Sequence, residues 1–326
     1  MKVLITTIPF GNPEPKSLEM LENAGIDYTI NPYNRKITED DLKEIIHDYD
    51  GLIAGTETIS KEVIDLAPRL KIIARVGVGT DGVDLNYARE KDIKVTYTPD
   101  APGPAIAELA VGFMYSLLRS THVSNLDIRK GKWNRSIGRS FSDMTIGVIG
   151  AGRVGTRVID LITKIGCKNL LVSDIYHNES LRDKYGFEWA SKEKVFSESD
   201  IITFHVPLTA DAKGMVKKDE LLRMKKDAFI INTARGGIVN EQDLYDVMQD
   251  GHIAGAAIDV FDKEPYFGPL IDIDRCLLTP HIGSASRECR AKMELESVQE
   301  IIRFFKNEEL LSLVPESEYL LQKQEA

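Results

Sequence analysis

The 326-residue sequence has little cysteine, no long apolar run and no surplus of positive charge. Cys167, Cys276 and Cys289 are odd in number and lack C-x-x-C spacing, which argues against a disulfide framework or a zinc site. They read as small buried or half-buried hydrophobes in a reducing compartment. The six histidines include no H-E-x-x-H pair, so no metal is expected. The apolar start Met1–Thr7 soon meets Pro9 and Gly11, too short for a signal-peptide core, and no later run is long enough to span a bilayer. A cytoplasmic protein without membrane association is the expectation. With 41 Lys and Arg against 51 Asp and Glu, the net charge of -10 argues against a nucleic-acid partner. It leaves room for a few arginines to capture a small anionic substrate. Low-complexity segments and fixed-period repeats are also missing.

What the chain does have is length for two domains and a repeated strand–helix alternation. Apolar runs predict strands at Lys2–Thr6, Gly51–Gly55, Lys71–Val76 and Lys94–Tyr97. Amphipathic stretches between them, Pro15–Asn23, Thr38–His47 and Lys61–Ala67, predict helices, with Thr38 as an N-cap before first-turn acids. A long apolar segment, Gly103–Arg119, opens at Pro104 and is apolar nearly all round, which predicts a helix buried between layers or domains. A second alternation follows, with strands at Thr145–Ile149, Leu170–Asp174, Asp200–His205, Ala228–Asn232, Gly255–Val260 and Cys276–Thr279. A helix at Ser286–Lys306 carries Val298, Ile301, Ile302 and Phe305 on one core-facing stripe. Strands separated by helices imply parallel sheets covered on both faces.

The strongest local motif is Gly150-Ala151-Gly152-Arg153-Val154-Gly155. A lone G-x-G-x-x-G is weak, but here an apolar strand leads in and a helical pattern through Val158, Leu161 and Ile162 leads out. A second strand then ends in Asp174, 19 positions beyond Gly155. Gly150 allows the tight turn, Gly152 the close approach of a pyrophosphate, and Gly155 the packing of helix on strand. Asp174 can accept from the adenosine ribose hydroxyls and would repel a 2′-phosphate, and no Lys or Arg follows in Ile175-Tyr176-His177. The cofactor expected is NAD.

Reduction of a 2-keto acid with such a cofactor needs a cation for the carboxylate and the developing oxyanion, and an acid to protonate that oxygen. Arginine suits the first task, and a histidine beside a carboxylate suits the second. Ligands in open α/β sheets sit at the C-terminal ends of strands. There the chain carries Arg235, Glu264 and His281. Each alone could be an ordinary loop residue; their order after a dinucleotide motif is what gives them weight.

The segments HVPLT (His205–Thr209), NTARGG (Asn232–Gly237), DVFDKEP (Asp259–Pro265) and TPHIGS (Thr279–Ser284) resemble those of the D-isomer-specific 2-hydroxyacid dehydrogenases, within which the phosphoglycerate dehydrogenase branch is most similar. The resemblance runs from RVGVGTDGVD (Arg75–Asp84) onward. It implies two Rossmann-like, doubly wound α/β domains. An NAD-binding domain of residues 101–287 would be inserted into a substrate domain of residues 1–100 plus 288–326, with the active site in the cleft between them. It implies that Arg235 binds substrate, Glu264 tunes the histidine and His281 is the acid/base. The backbone of Val76, Gly77, Val78 and Gly79 would hold the substrate carboxylate, with Arg75 either joining it or pairing with a nearby acid. Beyond the glycine motif, the cofactor is expected to meet Arg153, Val154, Asp174, His205, Pro207, Thr233, Ala234, Asp259 and Gly283, with His205 on the nicotinamide side. His47, His122, His177 and His252 are expected at the surface. A homodimer built through the cofactor domain is implied.

Two departures bear on substrate. Gly55-Thr56-Glu57 stands where phosphoglycerate enzymes of the family commonly carry an arginine, and Tyr97 stands before Thr98-Pro99 where they often have asparagine. Both weaken the expectation of a phosphorylated substrate. The chain ends soon after its last helix, so the C-terminal regulatory domain of some relatives is expected to be absent. A rival reading is an NADH-sensing, non-catalytic corepressor-like protein, since such proteins share this fold and the trio.

Overall fold

The computed structural model describes residues 1–12 and 14–325. In chain order the strands are β1 Lys2–Ile5, β2 Asp27–Ile30, β3 Gly51–Ala54, β4 Ile72–Arg75, β5 Lys94–Thr96, β6 Thr145–Ile149, β7 Asn169–Ser173, β8 Glu188–Trp189, β9 Ile201–Phe204, β10 Phe229–Asn232, β11 Gly255–Ile258 and β12 Cys276–Leu278. The helices are α1 Lys16–Asn23, α2 Glu39–Ile45, α3 Lys61–Asp65, α4 Leu85–Glu90, α5 Pro102–Leu118, α6 Thr121–Arg129, α7 Arg153–Lys164, α8 Glu179–Tyr185, α9 Lys192–Glu198, α10 Lys218–Arg223, α11 Glu241–Gln249, α12 Arg287–Phe305 and α13 Glu316–Glu325. The chain divides into two compact units, residues 1–102 with 284–326, and residues 103–283. Both are α/β units with wholly parallel sheets.

The first unit is a five-stranded sheet of order β2-β1-β3-β4-β5. Its central strands β3 and β4 are buried at every residue, as expected of strands covered on both faces. Polar caps start its helices where the sequence supplies them. Thr38 and Asp41 form a reciprocal capping box on α2, Ser60 caps α3, and Asp84 caps α4. Arg35 and Thr38 together hold the Asp41 carboxyl well below the usual range. The C-terminal segment belongs to this unit: Tyr319 is buried in its core, and Arg89 lies 3.6 Å over the Tyr319 ring while pairing with Glu316.

The second unit is a seven-stranded sheet of order β12-β11-β10-β9-β6-β7-β8. Apolar clusters cover both faces. Ala107, Phe113, Met114 and Leu117 of α5 join Val158, Ile159 and Ile162 of α7 on one. Val195 and Phe196 of α9, Leu221 of α10 and Leu244 and Val247 of α11 cover the other. The chain reverses its direction of travel across the sheet between β6 and β9, the switch point where ligands bind in doubly wound folds.

Some expectations need correction. β2 was not expected; it is an edge strand whose Tyr28, Thr29 and Ile30 are only half-buried, so it carries no continuous apolar signal. β8 is two residues long, too short for any periodicity. Within its unit α5 is not enclosed all round, because Glu108, Gly112 and Tyr115 are exposed. His122 is half-buried rather than fully exposed; both ring nitrogens are shielded from solvent, and burial lowers its pKa. His252 is half-buried, with Nε2 3.0 Å from the Met224 carbonyl oxygen. The cysteines are free, Cys276 and Cys289 buried and Cys167 half-buried, as expected. Among the described residues, no helix is long and apolar enough to cross a membrane.

Candidate active site

The glycine turn after β6 rests on backbone contacts that exclude side chains. Gly150 has φ +95°, and a Cβ there would lie 2.6 Å from the His205 carbonyl oxygen. A Cβ on Gly155 would come 1.8 Å from the Gly150 carbonyl oxygen, so α7 can pack on the turn only with glycine at this position. Gly152, the N-cap of α7, differs: a Cβ there would meet nothing within 4 Å. That open cradle at a helix N-terminus, where free amides and the helix dipole favour an anion, fits a pyrophosphate. Arg153 and Val154 are the next two residues, exposed and half-buried respectively. Asp174 follows β7 and accepts from the Ala151 amide at 2.6 Å and the Tyr176 amide at 2.9 Å, which sets its carboxylate beside the turn. Each of its oxygens keeps acceptor capacity for a ribose hydroxyl.

On the other side of the switch point, His205 follows β9. Its Nε2 lies 3.0 Å from the Thr203 hydroxyl, and its Nδ1 is buried without a partner. Burial pushes the imidazole pKa down to about 3. Thr233, after the neighbouring β10, likewise has a buried hydroxyl without a partner. Buried polar atoms are nearly always satisfied, so these two fit a site completed by a bound group with hydrogen-bonding capacity. Pro207 is exposed and Ala234 buried.

Arg235, Glu264 and His281 follow the consecutive strands β10, β11 and β12 at one end of the sheet. Asn232 shapes the first turn: its Nδ2 donates to the Arg235 carbonyl at 2.9 Å and its Oδ1 accepts from the Ala234 amide at 3.1 Å. Arg235 Nη1 donates to the Ala234 carbonyl at 2.7 Å. A Cβ on Gly236 would sit 2.0 Å from the Phe261 carbonyl oxygen, so the arginine turn abuts the segment that carries Glu264. Both Glu264 oxygens lie 3.0 Å from His281 Nδ1, and Oε1 also accepts from the Phe261 amide at 3.3 Å. The two side chains, His281 and Glu264, are 40% and 26% exposed, so the pair is open to a ligand yet partly shielded from water.

His281 is held in an unusual backbone conformation, φ +53°. Its amide donates to the Asp259 carbonyl at 2.9 Å. The Asp259 carboxylate, 1% exposed, accepts from the Thr279 hydroxyl at 2.6 Å and from the Ile282 and Gly283 amides at 2.8 Å. Burial raises its pKa, and these three donors act against that. Asp259 and Gly283, expected only as cofactor contacts, are here the parts that hold the histidine turn.

In the first unit the turn after β4 is tied back on itself. Gly77, at φ +143°, donates to the Thr98 hydroxyl at 2.8 Å, and the Thr98 amide returns a bond to the Gly77 carbonyl at 3.0 Å. Arg75 is buried, and its Nη1 donates to the Val76 carbonyl at 2.8 Å. The amides of Val78 and Gly79 donate to nothing within the described residues, which leaves them available to an anion.

Residues 111–283 match the NAD-binding domain of the D-isomer specific 2-hydroxyacid dehydrogenases. The chain is 33% identical over 274 residues to a hydroxypyruvate reductase of Thermotoga maritima, covering 82% of this chain and 88% of that one. It is 34% identical over 275 residues to a D-3-phosphoglycerate dehydrogenase of Methanocaldococcus jannaschii, covering 82% of this chain but only 52% of that longer protein. Among solved structures, a protein from Thermus thermophilus superposes with a TM-score of 0.87 at 30% identity, covering 97% of this chain and 100% of that one. The chain belongs to the D-isomer specific 2-hydroxyacid dehydrogenase family. It is thus a member of a family of NAD-dependent oxidoreductases, and its glycine turn, Asp174 and orphaned His205 and Thr233 atoms fit that cofactor.

Asn232 and the organising part played by Asp259 escaped the sequence reading, because a buried polar residue at a strand end carries no periodic signal. Two outcomes test the site as a dehydrogenase cofactor pocket. Gly155→Ala drives a methyl into the Gly150 carbonyl and should weaken NADH binding by about tenfold or more; fluorescence titration with unchanged affinity would refute the close-packing account. His205 is neutral at any pH well above about 3. His205→Gln should therefore leave the shape of the pH–rate profile unchanged between roughly pH 5 and pH 9, and a lost or displaced limb there would show that His205 does titrate.

Proposed function

We propose that this protein reduces a small 2-keto acid to the D-2-hydroxy acid with NADH, and runs the reverse oxidation with NAD. The observation that carries the reading is the Glu264 carboxylate with both oxygens 3.0 Å from His281 Nδ1, in the turns after the two strands that follow the Arg235 strand in the sheet. Residues 103–283 act as the cofactor domain and residues 1–102 with 284–326 as the substrate domain.

The bound cofactor supplies the hydride that goes to C2. The protein's part is to bind and polarise the ketone and to deliver the proton. Arg235 presents a permanently charged planar fork that engages the carboxylate and the C2 oxygen, stabilising charge as it develops. Within the first unit, the amides of Val78 and Gly79 offer donors to an anion. Glu264 accepts from Nδ1–H, which leaves Nε2 of His281 to carry the transferable proton and stabilises the imidazolium before transfer. In oxidation Nε2 takes that proton back. Gly150, Gly152, Arg153, Val154 and Gly155 hold the pyrophosphate, and Asp174 holds the ribose. His205, Pro207, Thr233 and Ala234 line the nicotinamide side. Ile175 and Tyr176, 88% and 80% exposed directly after Asp174, offer an apolar surface for the adenine.

A homodimer through the cofactor domain is the second part of the proposal. Tyr115, Ile128, Trp133 and Ile137 are 42%, 56%, 83% and 101% exposed, along one stretch that runs from α5 through α6 into an arm without regular structure. Large apolar groups presented this way mark an interaction surface. Three free thiols are in keeping with a reducing compartment, and we take the cytoplasm as its location.

The enzymatic test follows NADH absorbance against a panel of 2-keto acids, including hydroxypyruvate, glyoxylate, pyruvate and 3-phosphohydroxypyruvate. At least one should be consumed. His281→Ala should lower kcat by about 10²–10⁴-fold with NADH affinity little changed; retained turnover would remove the assigned role. For assembly, light scattering should give twice the chain mass, and Trp133→Glu with Ile137→Glu should give a monomer. A native monomer would remove the dimer reading.

A further inference from the structure

α11 begins shortly after the Arg235 turn, and its first residue, Glu241, reaches across to the segment that follows β11. Glu241 Oε1 accepts from the Asp262 amide at 2.8 Å, and Glu264 Oε1 accepts from the Phe261 amide at 3.3 Å. Two carboxylates are thus held on the amides of consecutive residues, which sets Glu241 beside the acid that touches His281. The backbone there has little room to shift. A Cβ on Gly236 would lie 2.5 Å from the Asp262 nitrogen, and one on Gly237 3.2 Å from Asp262 Oδ1.

Helix capping does not account for this side chain. α11 takes its cap from Asn240, whose Oδ1 accepts from the Asp243 amide at 2.9 Å, and Asp243 turns its own carboxylate to the Lys218 amide at 3.0 Å. Glu241 is half-buried, and the groups acting on it are of its own sign. Burial chiefly, then the charges of Asp262 and Glu264, raise its pKa, while the Asp262 amide acts against them. Tyr266 of the same segment also feels this acid: burial and then Glu241 push its phenol pKa up. An acid kept among like charges, next to a titrating pair, is a means of setting proton affinity at a site.

Resting on the reduction proposed above, we infer that Glu241 is a positioning residue that acts on His281 through Glu264. Its hydrogen bond holds the backbone from which Glu264 reaches the imidazole. Its negative charge favours the protonated ring, so the proton needed at the C2 oxygen stays on Nε2 to higher pH. Glu241 touches neither substrate nor cofactor in this role. The contribution is felt as pH rises, where the ring would otherwise lose its proton sooner.

Two variants separate bond from charge. Glu241→Gln keeps an acceptor for the Asp262 amide and removes the charge; Glu241→Asp keeps the charge and shortens the reach. Each is read in two ways: the pH dependence of kcat/KM for 2-keto acid reduction, and the pH titration of the His281 ring protons by NMR in NADH-loaded protein without a keto acid. The ring signal is identified by its loss in His281→Ala. Glu241→Gln should move both the alkaline limb and the ring titration to lower pH by about half a unit to one unit, with NADH affinity unchanged. Glu241→Asp should leave both close to wild type. An unmoved ring titration in Glu241→Gln, or an equal displacement in Glu241→Asp, overturns the inference even if 2-keto acids are turned over. A fall in kcat at every pH without a displaced limb also overturns it, because a purely structural role would do that. A displaced titration in protein that consumes no 2-keto acid supports the action of Glu241 on His281 and removes the proposed reaction instead.

Discussion

Every strand in both sheets pairs parallel with its neighbours, and the placement of chemistry in this protein follows from that constraint. Parallel strands must be joined by crossovers, so each strand's C-terminal end opens on the same edge of its sheet and leads into a turn before the next helix. Gly150, Asp174, His205, Arg235, Glu264 and His281 all lie in turns of that kind in the second unit, and Glu57 and Val76–Gly79 in the first. Residues more than a hundred positions apart in sequence thus share one edge without a dedicated scaffold.

Holding those turns in shape falls to buried polar groups. Asp259 gathers a hydroxyl and two amides around the histidine turn, and Asn232 does the same for the arginine turn. In the first unit Arg290 donates to the Pro9 carbonyl at 2.8 Å, and Glu294 accepts from the Gly11 amide at 2.9 Å, fixing the segment after β1 from α12. Burial raises the Glu294 pKa, a sign that the protein accepts a cost to keep that segment in place. Such networks are worth most when every member is satisfied, because an unpaired buried group costs more than a formed bond contributes. The few atoms left unpaired, His205 Nδ1 and Thr233 Oγ1 among them, stand out against that background.

The Glu264–His281 pair illustrates a division between geometry and charge. The carboxylate fixes which imidazole nitrogen bears the outward proton, while the backbone at φ +53° fixes where the ring stands. Neither alone would fix both the tautomer and the position of the ring. His205 is the opposite case: burial without a charged partner keeps it neutral, so it can donate or accept a hydrogen bond but carries no charge to the reaction.

From the sequence alone came the α/β class, most of the strands, the glycine turn with Asp174, and the candidates Arg235, Glu264 and His281, which follow three neighbouring strands. These were legible because apolar periodicity and glycine spacing are local signals, written within a strand, a turn and a helix. Edge strand β2 and the two-residue β8 left no such trace, and α5 was read as enclosed because composition cannot tell a core face from an exposed apolar one. Only the tertiary structure decided that Asp259 braces the histidine turn and that the ring nitrogens of half-buried His122 are shielded from solvent. Each of those depends on which strand ends are neighbours and on what burial does to a polar group, and both are set by packing between residues far apart in the chain.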